Sequence, residues 1–166
     1  MAGNGKVLIN LATGMEDGER VLVALLVATA AQQQGREVRV WATKDAVRLG
    51  LPGELEGVVC KGCPPLERLW EQFTEAGGEL WLCPVCLNSR DLGDAERVAH
   101  TEVVGATPMW EWAGDDTTVF SYGSTSGSVE PRRPRGRARR RHRRREHDVA
   151  AARERDGAFG IDPQPS

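Results

Sequence analysis

Short apolar segments rich in β-forming residues alternate with helix-like segments over the first 122 residues, and this alternation constrains the fold more than any other feature. Residues 6–12 (KVLINLA) read as a buried strand that ends in Thr13-Gly14. Residues 19–34 read as a helix: Val21, Leu22, Leu25, Leu26 and Thr29 recur at helical spacing, acidic residues open it and Gly35 follows it. Residues 37–42 (EVRVWA) form a second strand. Thr43 can cap a short helix over 44–49, which Gly50 and Pro52 stop. Residues 50–64 are loop-like. Leu66, Leu69, Trp70 and Phe73 share one face of a helix over 65–76, ended by Gly77-Gly78. A third strand (80–83, LWLC) leads at once into a short helix, 84–90. A fourth strand (102–104), a short helix (107–112) and a last strand (117–122, TTVFSY) follow. Strands separated by helices predict an α/β fold in three layers: a largely parallel sheet of five strands with helices on both faces. Right-handed crossovers then bring every strand's carboxyl end to one rim, where ligands and chemistry sit in such folds.

The charge distribution divides the chain. Residues 1–124 carry 10 basic and 18 acidic side chains, whereas residues 125–166 carry 12 arginines and 6 acidic side chains. The overall net charge of −2 therefore describes neither part. We expect one α/β domain over 1–123 and a disordered Arg-rich tail over 124–166, which has too few large apolar residues to offset its ordering entropy. Ten arginines fall between positions 131 and 145, enough charge to grip nucleic-acid phosphates. The run lacks interleaved aromatics for base stacking, so nucleic acid is not the expected partner. The longest apolar run, residues 21–31, is shorter than the roughly 20 residues a membrane helix needs. No basic-then-apolar leader opens the chain, and a cytoplasmic location is expected.

Four cysteines in a reducing compartment point to metal binding or redox chemistry rather than static disulfides. They form two CxxC pairs, Cys60-Lys-Gly-Cys63 and Cys83-Pro-Val-Cys86, with nineteen residues between. That spacing suits a four-cysteine zinc site. Zinc ribbons, however, hold each pair in a tight knuckle between strands, and both pairs here lead into helices. Cys83 lies at a strand end and at the expected N-cap of a helix, with Pro84 suited to the first helical position. Backbone N–H groups there favour a thiolate. Cys86, one turn on, is placed to resolve it. The helix over 65–76 must run antiparallel to the strand after it, because only Gly77-Gly78 joins them. Cys63 thus falls on the same rim as Cys83, so two readings stand: a thiol protein with Cys83 as nucleophile and Cys86 as resolving partner, or a non-enzymatic zinc-binding or oligomeric interaction module using both pairs. No cofactor and no metal ligand set are assigned.

Other residues carry weaker signals. Thr13-Gly14-Met15-Glu16-Asp17 lacks the lysine and glycines of phosphate loops and reads as a βα turn, with Glu16 or Asp17 placed to line the Cys83 pocket. Arg90 either favours a thiolate or anionic sulfur compound, or is a solvated helix-end arginine. His100 is lone and reads as structural or exposed. Trp110 and Trp112 read as core or subunit-interface residues.

In the order and content of its blocks the sequence resembles the DsrE/DsrF-like family. The blocks are KVLINLATGMEDGERVLVALLVATAAQQQGREVRVWATKDAVRLGL, CPPLERLWEQFTEAGGELWLCPVC with a following Arg, EVVGATPMWEW and TTVFSY, across about residues 5–122. The resemblance implies a three-layer α/β fold with a five-stranded sheet, assembly as dimers, trimers or hexamers, and transfer of sulfur between donor and acceptor proteins or small thiols. In TusD-like and DsrE-like sulfur carriers one cysteine at the strand-to-helix junction carries a persulfide, and Cys83 matches that position. Cys86 makes a CPxC variant similar to the subgroup described as predicted peroxiredoxins. Cys86 and Cys63 depart from a one-cysteine carrier and point also to dithiol redox chemistry. Because the resemblance stops where the charge changes sign, deleting the residues after 124 is expected to leave the alkylation rate of Cys83, followed by peptide mass spectrometry, unchanged.

Overall fold

A computed structural model of the chain describes residues 5–123. The Arg-rich segment expected over 124–166 lies outside the described residues. The elements follow in the order β1 (Lys6–Leu11), a 3₁₀ turn (Met15–Asp17), α1 (Gly18–Gln33), β2 (Glu37–Ala42), a 3₁₀ segment (Lys44–Gly50), α2 (Leu66–Glu75), β3 (Glu79–Leu82), α3 (Pro84–Asn88), β4 (Thr101–Val103), α4 (Ala106–Ala113) and β5 (Thr117–Tyr122). The five strands form one sheet in the order β4-β3-β2-β1-β5, and every pairing is parallel. The expected α/β architecture is what the chain adopts.

Period-two alternation divides the strand side chains between two cores. Val7, Ile9 and Leu11 of β1, Val38, Val40 and Ala42 of β2, and Leu80 and Leu82 of β3 face α1 and α2. Leu8, Trp81 and Val104 face the other way and meet Met109 of α4, flanked by Trp41 and Trp112. The register keeps the faces aligned: Ile9 pairs with Val40, Leu11 with Ala42, and Ala42 with Leu82. The two faces are covered unequally, by α1 and α2 on one side and α4 on the other.

Asp17 caps α1, its carboxylate accepting from the Arg20 backbone N–H at 3.2 Å. The face α1 buries is broader than the spacing suggested: Ala24 and Ala28 are buried with Val21, Leu22, Leu25 and Thr29, whereas Leu26 is 40 % exposed. Small alanines let the helix sit close to the sheet, which turns Leu26 outward. Segment 44–50 is 3₁₀ rather than α, and the Thr43 side chain makes no capping bond; its carbonyl accepts from Ala46 N–H instead. Strand β3 stops at Leu82, so Cys83 lies just past it, and α3 stops at Asn88, short of Arg90. No helix among the described residues is long and apolar enough to cross a membrane.

The link from α2 to β3 sets the reach of the next segment. Gly77 takes φ +81, and Gly78 N–H returns to the Phe73 carbonyl at 2.9 Å. Gly78 lies flat on the fully buried Phe73 ring, and a Cβ there would overlap the ring. Phe73→Ala is expected to cost about 3–5 kcal/mol of unfolding free energy, and Gly78→Ala about 1–3 kcal/mol through overpacking, both read from urea denaturation.

Candidate functional site

The site begins where β2 and β3 end side by side. Cys83 N–H donates to the Ala42 carbonyl at 3.0 Å, carrying the β2–β3 ladder one residue past the strand. The chain then turns. Cys83 is extended (φ −66°, ψ 118°), Pro84 takes the first helical position, and Leu87 N–H closes the first turn on the Cys83 carbonyl at 3.0 Å. Leu87 is buried and anchors this turn, while Val85 is 73 % exposed. Cys83 and Cys86 are both free and half-buried on the carboxyl rim.

The two thiols interact. Burial pushes the Cys86 thiol up, and its hydrogen bond and charge repulsion with Cys83 push the same way. The Lys44 backbone N–H and the Arg90 charge nearby favour the thiolate, both opposing the rise without cancelling it. Cys86 is therefore a protonated thiol at neutral pH and can donate its S–H toward Cys83. Sequence reasoning placed stabilising N–H groups around Cys83. The structure gives Cys83 no side-chain capping bond, and α3 is only five residues long. The backbone donor goes to Cys86 and comes from the neighbouring strand's end, because Pro84 has no N–H to offer.

Arg90 is not a solvated helix-end residue. Its Nε donates to Asp45 Oδ1 at 2.9 Å, and its Nη1 donates to the Cys86 carbonyl at 3.2 Å and to Ser89 Oγ at 3.1 Å. The guanidinium hydrogen bond holds the Asp45 carboxyl below the usual carboxylate range, and Asp45 in turn raises Arg90. Both stay charged across the neutral range, and Asp45 offsets much of the positive field at the thiols. Arg90 thus ties α3 to the segment after β2. Lys44, which opens that segment, takes φ +50, a left-handed conformation uncommon for a side-chain-bearing residue.

The turn after β1 closes in from the other side. Glu16 accepts from Gly14 N–H at 3.0 Å, and its charge reaches Arg90. Asp17 is spent on the α1 cap and on Arg20, 3.4 Å away. A Cβ on Gly14 would come within 2.7 Å of the Asp45 carbonyl oxygen, so only glycine lets the two rim loops touch.

The second pair is bonded within itself. Cys60 and Cys63 are joined as a disulfide in the loop before α2, their Cα atoms 5.3 Å apart. Among the described residues no group of three or more His, Cys, Asp or Glu side chains is arranged to hold a metal ion, so the four cysteines are two pairs rather than one ligand set. His100 takes φ +61, and its carbonyl accepts from Leu80 N–H at 2.9 Å, a turn role. Trp112 packs edge-on against Trp81 at 5.2 Å and lies beneath Lys6 and Arg39. Trp110 is exposed.

Lys44 and Asp45 are the site residues that sequence reasoning missed. The available signal was their place at the end of β2, since the strand order puts that end beside Cys83. Two outcomes follow from the charges around Cys86. Its alkylation, followed by peptide mass spectrometry, is expected to accelerate only above the ordinary thiol range of about pH 8.5. Asp45→Asn, which leaves Arg90 unneutralised, should speed that reaction at pH 8, and Arg90→Gln should slow it.

Comparison with known proteins agrees with the fold. Over 104 residues the chain is 28 % identical to the uncharacterized protein MK0008 of Methanopyrus kandleri, covering 63 % of this chain and 83 % of that protein. Its fold is similar to the crystal structure of the YchN protein from E. coli, with a TM-score of 0.59 and 21 % identity over 71 % of this chain and 99 % of that one. It is also similar to the protein of unknown function MTH1491 from Methanobacterium thermoautotrophicum, with a TM-score of 0.54 and 13 % identity over 71 % of this chain and 99 % of that one. The DsrE/DsrF-like family matches residues 5–122, the whole of the sheet and its helices, and the chain belongs to that family.

Proposed function

We propose that this chain is a cytoplasmic thiol protein acting in sulfur (persulfide) transfer or dithiol redox chemistry, with Cys83 as the nucleophile and Cys86 as the resolving thiol. The family is associated with sulfur relay and redox chemistry, and its members often oligomerise. The observation that carries the assignment is the pair of free, half-buried thiols at the start of α3, Cys83 at its N-cap and Cys86 one turn on, and burial keeps Cys86 protonated. A protonated neighbour supplies both a second sulfur and a proton.

The chemistry follows from that pair. Cys83 takes sulfane sulfur from a donor as a persulfide. The Cys86 sulfur then attacks Cys83 Sγ, the Cys83–sulfane bond breaks, and the Cys86 proton leaves with the departing sulfur as hydrogen sulfide. Two thiol sulfurs are oxidised to a disulfide and one sulfane sulfur is reduced. A resolving thiol this close favours discharge over storage of the persulfide. Donor and acceptor are proteins or small thiols that reach the exposed rim beside Val85, and the working form is a homo-oligomer. The Arg90–Asp45 pair holds Cys86 in place through its carbonyl.

Mass spectrometry of the full chain after exposure to inorganic polysulfide tests the roles. Wild-type protein should give a Cys83–Cys86 disulfide. Cys86→Ser should accumulate a one-sulfur adduct on Cys83, and Cys83→Ser should lose both products. Equal adduct formation on Cys83 and on Cys60 or Cys63, or a Cys83→Ser chain that labels as fast as wild type, would remove Cys83 from its special place.

A further inference from the structure

We propose that Cys60 and Cys63 are a second dithiol–disulfide centre that resets the first. They pass two electrons to the Cys83–Cys86 disulfide within the same chain. The inference rests on the role given to Cys83 above and deepens it.

The loop is built for reversible closure. Cys63 N–H returns to the Cys60 carbonyl at 3.1 Å, and Gly62 takes φ +83, which folds the four residues into a turn. The 5.3 Å Cα separation lies within the range that a disulfide spans without backbone movement. Both cysteines are half-buried, and Lys61 and Gly62 between them are exposed, so a sulfur nucleophile has access.

The rim supplies continuity. Val59, next to Cys60, wedges against Gly18 and Met15 at the start of α1, so close that a Cβ on Gly18 would lie 2.7 Å from Val59 Cγ1. Gly14, beside Met15, lies against the Asp45 carbonyl, and Arg90, bonded to the Asp45 carboxylate, donates to the Cys86 carbonyl. Val59, Cys63, Met15, Cys83 and Cys86 all rest on one apolar core. The loop carries its own joints: Gly53, Gly57 and Gly62 have positive φ, and nothing lies within 4 Å of where a Cβ would be.

The step balances without an outside oxidant or reductant. A Cys60 or Cys63 thiolate attacks one sulfur of the Cys83–Cys86 disulfide, that bond breaks, and the other sulfur leaves as a thiolate that takes up a proton. The second loop thiol gives up its proton and attacks the mixed disulfide. The products are the Cys60–Cys63 disulfide and the Cys83 and Cys86 thiols. The exposed loop then meets an external thiol, leaving the half-buried site to sulfur chemistry.

The test treats the fully reduced full-length chain with one equivalent of inorganic polysulfide, then alkylates at intervals and maps disulfide-linked peptides by mass spectrometry. The expected course is a Cys83–Cys86 disulfide that forms first and decays as Cys60–Cys63 appears, at a rate independent of protein concentration. In the Cys60→Ser/Cys63→Ser chain the Cys83–Cys86 disulfide should persist at least about tenfold longer, and the single Cys60→Ser should stall at a Cys83–Cys63 or Cys86–Cys63 link. A Cys83–Cys86 disulfide that persists in the wild type overturns the relay and leaves the reading of Cys83 intact. So does transfer that speeds up with protein concentration, or Cys60–Cys63 closure that proceeds equally in Cys83→Ser. Failure of any disulfide to form at Cys83 overturns both readings.

Discussion

The parallel pairing of β2 with β3 is the constraint on which the site depends. Because both strands run the same way, their ends lie together, and the bond from Cys83 N–H to the Ala42 carbonyl locks one to the other. Everything beyond that bond is placed by it. The chain leaving β2 delivers Lys44 and Asp45, and the chain leaving β3 delivers Cys83, Cys86 and Arg90. An antiparallel pair would have put these segments at opposite ends of the sheet. Parallel strands require long crossovers, and α2 with its glycine turn supplies this one.

Electrostatics at the rim divide labour between two chemically identical side chains. Cys86 is desolvated, receives the Lys44 N–H and stands near an arginine whose charge is largely matched by Asp45. Desolvation and the neighbouring Cys83 outweigh the last two and hold the proton on Cys86, while Cys83 has no side-chain capping bond. Asp45 pairs with Arg90, so the guanidinium that reaches the Cys86 carbonyl is not a free charge. Asp45 therefore matters as much for what it subtracts as for what it binds. The Gly14 contact keeps that balance fixed, since any side chain there would push the first rim loop away from the Asp45 carbonyl.

The two faces of the sheet divide along the same logic. Aliphatic side chains under α1 and α2 make a dry core that anchors the rim loops from below. The opposite face is aromatic: Trp41, Trp81 and Trp112 gather around α4, with Arg39 lying over Trp81 and Trp112. Both edge strands carry exposed apolar side chains, Val103 on β4 and Val119 and Phe120 on β5, and Trp110 of α4 is exposed as well. Cys83 and Cys86 thus rest on the aliphatic side of the sheet.

The amino-acid sequence by itself determined the element order, the parallel sheet and the location of Cys83, because local period and local chemistry encode each of these. Alternation in KVLINL and EVRVWA marks strands, the Leu66, Leu69, Trp70 and Phe73 stripe marks a helix, and proline after cysteine marks a turn into a helix. Element ends were less legible. Cys83 fell outside β3 and Arg90 outside α3, since the last hydrogen bonds at an end depend on neighbours in space. The inner makeup of the site was decided by tertiary structure alone. Asp45 and Arg90 are 45 residues apart, and no local pattern joins them. The left-handed Lys44, the donor to Cys86 and the separation of the cysteines into two pairs likewise arise only once strand order sets β2 beside β3. Periodicity reports which face a residue takes; it carries no information about which distant residue will stand opposite.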